Sequence, residues 1–420
     1  MMMDHYDTLN YYSEPDTISQ SAMHLFFSTA NMTQESLAIY LHIPFCTTKC
    51  TYCAFNTYTH IEHLIPAFVE ALAAEIRFVA QQNPYQQVHT VYFGGGTPSL
   101  LTPSQFDLLL NTLHTHFAIN ANAEISIESN PNDLDAAYLG QLRTLGINRL
   151  SIGMQTANIN ELDLFARRHD HAAVVKAVDA ARTAKFDNLN LDVIYGFPYQ
   201  TLESWQYTLN EVALLKPEHI SMYALGLEEG TSLLHWVESG RIPTPDDDTA
   251  ADMYDAATDI MAQHGYHQYE ISNWAQPGYE CQHNLQYWRN FPYVGLGPGA
   301  HGYAGGVRYH TLLSPQRYIK AMRERSGEAL PFPQTPATHE AHLVEWGDEM
   351  AETLIMNLRL LQEGVSRSAF EARFGVDLVQ HHAKALKRFV DHGLVEIQPD
   401  VVRITHEGRL LSNMLFRELV

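Results

Sequence analysis

The sequence predicts an α/β fold built on an open, partial barrel of parallel strands. Two observations predict it. Six short β-rich runs alternate with segments of helical period. The distinctive polar or glycine-rich residues fall at the ends of those runs, where parallel α/β folds carry their sites. Six units are too few for an eight-fold barrel, so the barrel is expected to stay open.

The elements follow in order. Residues 1–36 are polar and without sustained period, and predict a poorly ordered extension. The β-rich runs are "LAIYLHI" (37–43), "HTVYFGG" (89–95), "EISIES" (124–129), "RLSIGMQ" (149–155), "NLNLDVIYG" (188–196) and "HISMYAL" (219–225). The clearest helix is "IPAFVEALAAEIRFVA", with Ile65, Phe68, Val69, Leu72, Ile76 and Val79 on one face. Other helical patterns lie near 103–116, 134–144, 160–185 and 202–215. These elements make a barrel domain over 37–230.

Beyond it the pattern changes. An α/β extension over 231–344 opens with a linker into a helix, and Asp246, Asp247 and Asp248 suit that helix's N-terminal dipole. The rest of the extension is rich in aromatics, His and Gly. Residues 345–420 read helix, turn, helix and then a hairpin-like "GLVEIQPDVVRIT", the outline of a small winged-helix-like domain. That domain carries twelve Asp and Glu against nine Lys and Arg, so it has no basic footprint for DNA.

Composition excludes further classes. The formal net charge of -22 disfavours nucleic acid and docking by charge on an anionic membrane. No apolar run approaches the roughly 20 residues that span a bilayer. The N-terminus has neither the basic nor the apolar part of a secretory signal, so a cytoplasmic protein is expected. Four cysteines, three of them within eight positions, do not make a disulfide framework. Cys46, Cys50 and Cys53 form Cys-x-x-x-Cys-x-x-Cys, and soft thiolates at that spacing suit an iron–sulfur cluster. Zinc completed by Cys281 or a histidine and unligated core thiols are the plainer readings.

The three-cysteine loop after a strand resembles the signature of the radical SAM superfamily. The fuller "YLHIPFCTTKCTYCAF" resembles its branch containing the oxygen-independent coproporphyrinogen III oxidase HemN and the heme chaperone HemW. The resemblance covers nearly the whole chain after residue 36. It implies a radical SAM barrel of (β/α)6 type. It also implies a [4Fe-4S] cluster on the three cysteines, with S-adenosylmethionine chelating the open iron. Within "FGGGTPS", Gly95, Gly96 and Thr97 match the segment that binds the methionine part. Tyr40 and the Tyr52 backbone match further cofactor positions. Glu128 matches the ribose-binding acid, and a carboxylate suits two hydroxyl donors. Gln155, Arg167, Asp192 and Gly226 match the remaining positions. Without the resemblance, each of these is a solvated strand end, a structural ion pair or a tight turn.

Two features bear on the branch. The oxidase carries a further cysteine two positions after the last cluster ligand. Here that position is Phe55, which has no thiol chemistry and is expected to pack near the cluster. "HNLQYW", from His283 to Trp288, resembles the motif that marks HemW. There His283 is expected to ligate heme iron, with aromatic neighbours stacked on the porphyrin. A core or surface histidine is the plainer reading, since the chain has 23. The glycines of "GLGPGAHGY" (295–303) read equally as a turn or as a loop that presents His301 to the site. The resemblance thus implies a heme chaperone, with an acceptor hemoprotein and a flavodoxin- or ferredoxin-type electron donor as partners. The rival is an oxidase in which a radical from S-adenosylmethionine takes hydrogen from a propionate of coproporphyrinogen III, which then loses carbon dioxide.

Overall fold

A computed structural model describes residues 36–84, 86–325 and 327–419. The expected N-terminal extension therefore lies, apart from Ser36, outside the described residues. The barrel runs β1 (Leu37–Ile43), α1 (Ile65–Gln82), β2 (Gln87–Gly95), α2 (Pro103–His116), β3 (Ala118–Ser129), α3 (Ala136–Thr144), β4 (Arg149–Gln155), α4 (Ile159–Leu164), α5 (His171–Thr183), β5 (Leu189–Tyr195), α6 (Leu202–Leu215) and β6 (His219–Ala224). The six strands lie side by side in chain order, every pair parallel. Each alternating run of the sequence is thus one strand.

The period of two decides what each strand shows to either side. Leu37, Ile39, Leu41 and Ile43 of β1 face the helices and join the main core with Phe68, Leu72 and Ile76 of α1. Burying each such side chain contributes about 1.5–3 kcal/mol. The inward positions are polar instead: Tyr40, His42, Thr90, Tyr92, Glu124, Ser126, Glu128, Arg149, Ser151, Asn190, Asp192, His219 and Ser221. The barrel therefore has an apolar jacket and a polar lining.

The helical pattern at 160–185 resolves into two helices rather than one. The chain breaks after Phe165, and Ala166 takes a left-handed φ of 54°. That break turns Arg167 toward the cysteine loop.

The extension contains α7 (Ser232–Glu238), α8 (Asp247–Gln263), β7 (His267–Glu270), β8 (Asn273–Ala275), α9 (Gln282–Trp288), β9 (Tyr293–Leu296), β10 (His301–Ala304), β11 (Val307–Thr311), α10 (Pro315–Glu324) and β12 (Thr338–Leu343). Asp246 caps α8, accepting from the Thr249 amide at 2.8 Å. The short strands of this region, which carry no clear alternation, extend the sheet at both edges. β9 joins β1 in parallel, β10 to β12 follow antiparallel, and β8 and β7 add to β6. The result is one twelve-stranded sheet ending in β12 and β7.

The C-terminal segment comprises α11 (Trp346–Leu358), β13 (Val365–Ser366), α12 (Arg367–Phe374), α13 (Leu378–His381), α14 (Ala383–Asp391), β14 (Val395–Ile397), β15 (Val401–Ile404), α15 (His406–Leu410) and α16 (Ser412–Glu418). It has its own core around Leu354, Phe370, Leu386 and Val402, and its strands form the wing of a winged-helix-like unit. It docks through buried polar contacts. Arg359 pairs with Glu270 at 3.4 Å and lies 4.3 Å over the Trp288 ring.

Glu75 on α1 ties the barrel to the extension. Its buried carboxylate accepts from Gly297 N at 2.8 Å, Tyr318 Oη at 2.6 Å and Thr335 Oγ1 at 2.7 Å. Glu75→Ala leaves three buried donors unmatched and is expected to cost about 2–4 kcal/mol in urea unfolding. A loss below about 1 kcal/mol would mean that the donors find other acceptors.

Candidate functional site

The cysteine loop leaves the carboxyl end of β1 and is held from three sides. Cys46 N donates to Tyr58 O at 2.9 Å. Thr51 Oγ1 donates to Leu164 O at 2.8 Å, and Leu233 N to Thr51 O at 2.9 Å. The Tyr52 ring packs edge-on against Phe165, with centroids 4.8 Å apart. Hence α4 and α7 grip the loop, and the Tyr52 backbone stays beside the thiols.

The glycine turn braces the same loop. Gly96 N donates to Ile43 O and Thr97 N to Phe45 O, both at 2.8 Å. A Cβ at Gly96 would stand 2.6 Å from Phe45 O, so only glycine allows this approach. Gly95 has φ 107°, and its amide donates to Glu128 at 3.0 Å.

Two donors aim at the sulfurs. Thr97 Oγ1 lies 3.4 Å from Cys46 Sγ, and Arg167 Nη1 lies 3.4 Å from Cys50 Sγ. Burial pushes the Cys46 thiol up to about 11 against the Thr97 bond, and it raises Cys53 as well. A bound cation would supply the charge that makes thiolates stable here. Among the described residues, no three His, Cys, Asp or Glu side chains converge as a single ion requires. Three thiolates on three separate irons of a cluster need not converge. The donor set therefore fits a cluster with one corner open.

The polar rim of the barrel surrounds this loop. Tyr92 Oη and Gly95 N both donate to Glu128, each at 3.0 Å. Burial and the Asp192 carboxylate raise Glu128 to about 7. Asp192 accepts from Ser151 Oγ at 2.7 Å and Asn190 Nδ2 at 2.8 Å. Gln155, after a bulge in β4, holds a left-handed φ of 67°. Such strain is tolerated where the surroundings impose it, often at a site. Arg167 reaches back to Gly153 O at 2.9 Å, beside the Gln155 amide. Tyr40, Glu128, Arg167 and Asp192 are only partly buried and open to a ligand. Arg167 Nε, Arg149 Nε and Ser126 Oγ are buried without a partner among the described residues. These groups suit a polar, zwitterionic ligand such as S-adenosylmethionine. Gly226 stands apart in the loop after β6, where a Cβ would meet only Glu228.

His283 has a different place from an open ligand. It is 1% exposed, with Nδ1 on Thr90 Oγ1 at 2.8 Å and Nε2 on Tyr287 Oη at 2.9 Å. Its ring stacks on Tyr92, with centroids 4.9 Å apart, and burial lowers it to about 3. As placed, neither nitrogen faces an iron, and ligation there requires one of these bonds to break. Its aromatic neighbours are also engaged. Tyr287 packs against Tyr293, and Trp288 lies under Arg359. Cys281 is fully buried beside Glu124, which accepts from Cys281 Sγ and from the amides of Gln282 and His283. Phe55, expected to pack near the cluster, is 47% exposed.

Sequence reasoning missed Tyr92, Glu124 and Arg149. The signal was present: each is a polar residue at an inward position of a strand whose alternate residues are apolar.

Comparisons with known proteins give the family. The radical SAM superfamily matches residues 40–212, and the HemN C-terminal domain matches residues 347–411. The chain is 34% identical to the heme chaperone HemW of Bacillus subtilis over 90% of its own length and 97% of that protein's. It is 32% identical to the heme chaperone HemW of Escherichia coli, over 90% and 97% of the two chains. Among solved structures, coproporphyrinogen III oxidase (HemN) from Escherichia coli superposes with a TM-score of 0.79 and 25% identity, covering 96% of this chain and 93% of that one. With a cysteine loop, glycine turn and polar rim arranged as above, and similarity along nearly its whole length, the chain belongs to the radical SAM superfamily and, within it, to the HemW family.

Proposed function

We propose that this chain binds heme and passes it to an acceptor hemoprotein. It carries a [4Fe-4S] cluster on Cys46, Cys50 and Cys53, with S-adenosylmethionine at the open iron. The observation that carries this reading is the similarity to HemW chaperones over nine-tenths of the chain. Phe55 supports it, since it puts no thiol where the oxidase has one. The rival, coproporphyrinogen III oxidase, is favoured by the overall likeness to the HemN structure.

The cluster and S-adenosylmethionine, when bound, supply one-electron reductive chemistry. The chain's own residues do the rest. Arg167 and Thr97 direct hydrogen bonds at two ligand sulfurs and favour their thiolate forms. Glu128 presents its carboxylate to the ribose with Asp192 beside it on the rim, and Gly95, Gly96 and Thr97, adjoining Glu128 through the Gly95 amide, take the methionine part. Gln155 and Tyr40 close the rim, and Gly226, in the loop after β6, is the remaining expected contact. His283 orients Tyr92 and Tyr287 beneath the rim, and to serve as the expected heme ligand it has to release Thr90 or Tyr287 first. Heme, the acceptor and a flavodoxin- or ferredoxin-type donor complete the partners.

Three expected outcomes follow from this site. Cys50→Ser should abolish the cluster absorbance of anaerobically reconstituted protein; unchanged iron content would overturn the cluster assignment. S-adenosylmethionine should bind more tightly as pH rises through about 7, because Glu128 is protonated below that value and a carboxylate acceptor above it. Glu128→Gln should weaken binding about tenfold or more at pH 8 and flatten that dependence in calorimetry, consistent with the loss of a charge-assisted hydrogen bond. In an anaerobic titration, wild type should bind heme with a shifted Soret band and release it to an apo-hemoprotein. Absence of specific heme binding, with decarboxylation of coproporphyrinogen III, would establish the oxidase instead.

A further inference from the structure

His42 of β1 touches three parts of the cofactor site at once. Its Nδ1 lies 3.0 Å from Tyr40 Oη, two residues back on the same inward face. Its Nε2 lies 3.0 Å from Asn56 O, just past the last cysteine of the loop. Its ring also fills the space under the glycine turn, where a Cβ on Gly95 would collide with it. His42 itself is buried, so its influence on a ligand runs through these neighbours.

The two hydrogen bonds fix the proton on the ring. A carbonyl oxygen only accepts, so Nε2 carries the hydrogen and donates to Asn56 O. Burial holds the imidazole neutral by lowering it to about 4, which leaves Nδ1 with a lone pair. Tyr40, facing that lone pair, is therefore the donor. Its one hydroxyl hydrogen is taken by His42, and only oxygen lone pairs remain for a ligand. Tyr92, whose ring stacks on Tyr40 with centroids 6.2 Å apart, gives its hydrogen to Glu128. Both rim tyrosines thus keep acceptor capacity alone. The far end of this relay is anchored. Asn56 Nδ2 donates to Pro298 O at 2.8 Å and to Leu313 O at 2.9 Å. The extension holds Asn56, Asn56 holds His42, and His42 holds Tyr40.

We propose that His42 is a positioning residue for S-adenosylmethionine, locking the Tyr40 hydroxyl as an acceptor for a positively charged group of that ligand. The inference rests on the cofactor reading of the rim and is independent of the heme reading. His42 touches neither the thiols nor the ligand; it acts through Tyr40. The relay also gives the extension a part in the cofactor site, since Pro298 and Leu313 fix the residue on which His42 is anchored.

The test is anaerobic calorimetry of S-adenosylmethionine on cluster-loaded protein, with cluster absorbance read alongside. The proteins are wild type, Tyr40→Phe, His42→Met, the Tyr40→Phe/His42→Met double variant and His42→Gln. Each of the two single changes Tyr40→Phe and His42→Met should weaken binding about tenfold and leave the cluster absorbance unchanged. The double variant should bind no more weakly than the weaker single, because both changes remove one interaction. His42→Gln should bind within about threefold of wild type, since its amide pairs an N–H donor with a carbonyl acceptor as the ring pairs Nε2 with Nδ1. Losses that multiply to about a hundredfold in the double variant overturn the relay and leave the cofactor reading intact. Wild-type-like binding by His42→Met, or binding by His42→Gln as weak as by His42→Met, does the same. Loss of the cluster in His42→Met makes His42 a support of the cysteine loop and also overturns the positioning role. No binding by cluster-loaded wild type overturns the cofactor reading itself. Should His42→Met not fold, the ring tautomer decides. Nitrogen NMR of wild type, with the ring assigned against His42→Gln, should find the hydrogen on Nε2, and a hydrogen on Nδ1 overturns the proposal.

Discussion

Everything in the barrel depends on strand register. Six parallel strands place apolar residues toward the helices and polar residues toward the lumen, and a slip of one residue would exchange the two sets. Leu41 packs with the helices while His42 and Tyr40 face inward. The same alternation brings Glu128, Asp192 and Tyr92 to one rim from three strands. Burial of the outer set holds the register, and the register in turn assembles the polar site.

A polar interior has a cost unless its groups are matched. The lining meets it with a connected network: Asn190 and Ser151 on Asp192, His219 between Asn190 and Tyr269, and Thr90 on His283. Glu124 extends it into the next domain by capping the start of α9. Thus "HNLQYW" sits where barrel, extension and C-terminal unit meet. Its His283 closes the floor of the lumen, and its Trp288 carries Arg359 of the C-terminal segment. A motif that reads as a ligand site is, in this structure, also a joint.

The chaperone and the oxidase share this scaffold, which is why the cluster loop and the rim do not separate them. What separates them lies at the margin. Phe55, where the oxidase is expected to carry a thiol, is 47% exposed.

The sequence by itself determined the six parallel strands, the helices between them and the polar residues at the strand ends, because alternation and helical period are local properties of neighbouring residues. It marked Cys46, Cys50 and Cys53 as one site for the same reason, since their spacing places them in one loop. Only the tertiary structure decided the rest. The break after Phe165 that delivers Arg167 to Cys50 depends on how α4 meets the cysteine loop. The engagement of both His283 nitrogens depends on Thr90, which lies 193 positions away in the chain. The stacking of His301 on His310 comes from the pairing of β10 with β11, and strand pairing leaves no periodic trace in the chain.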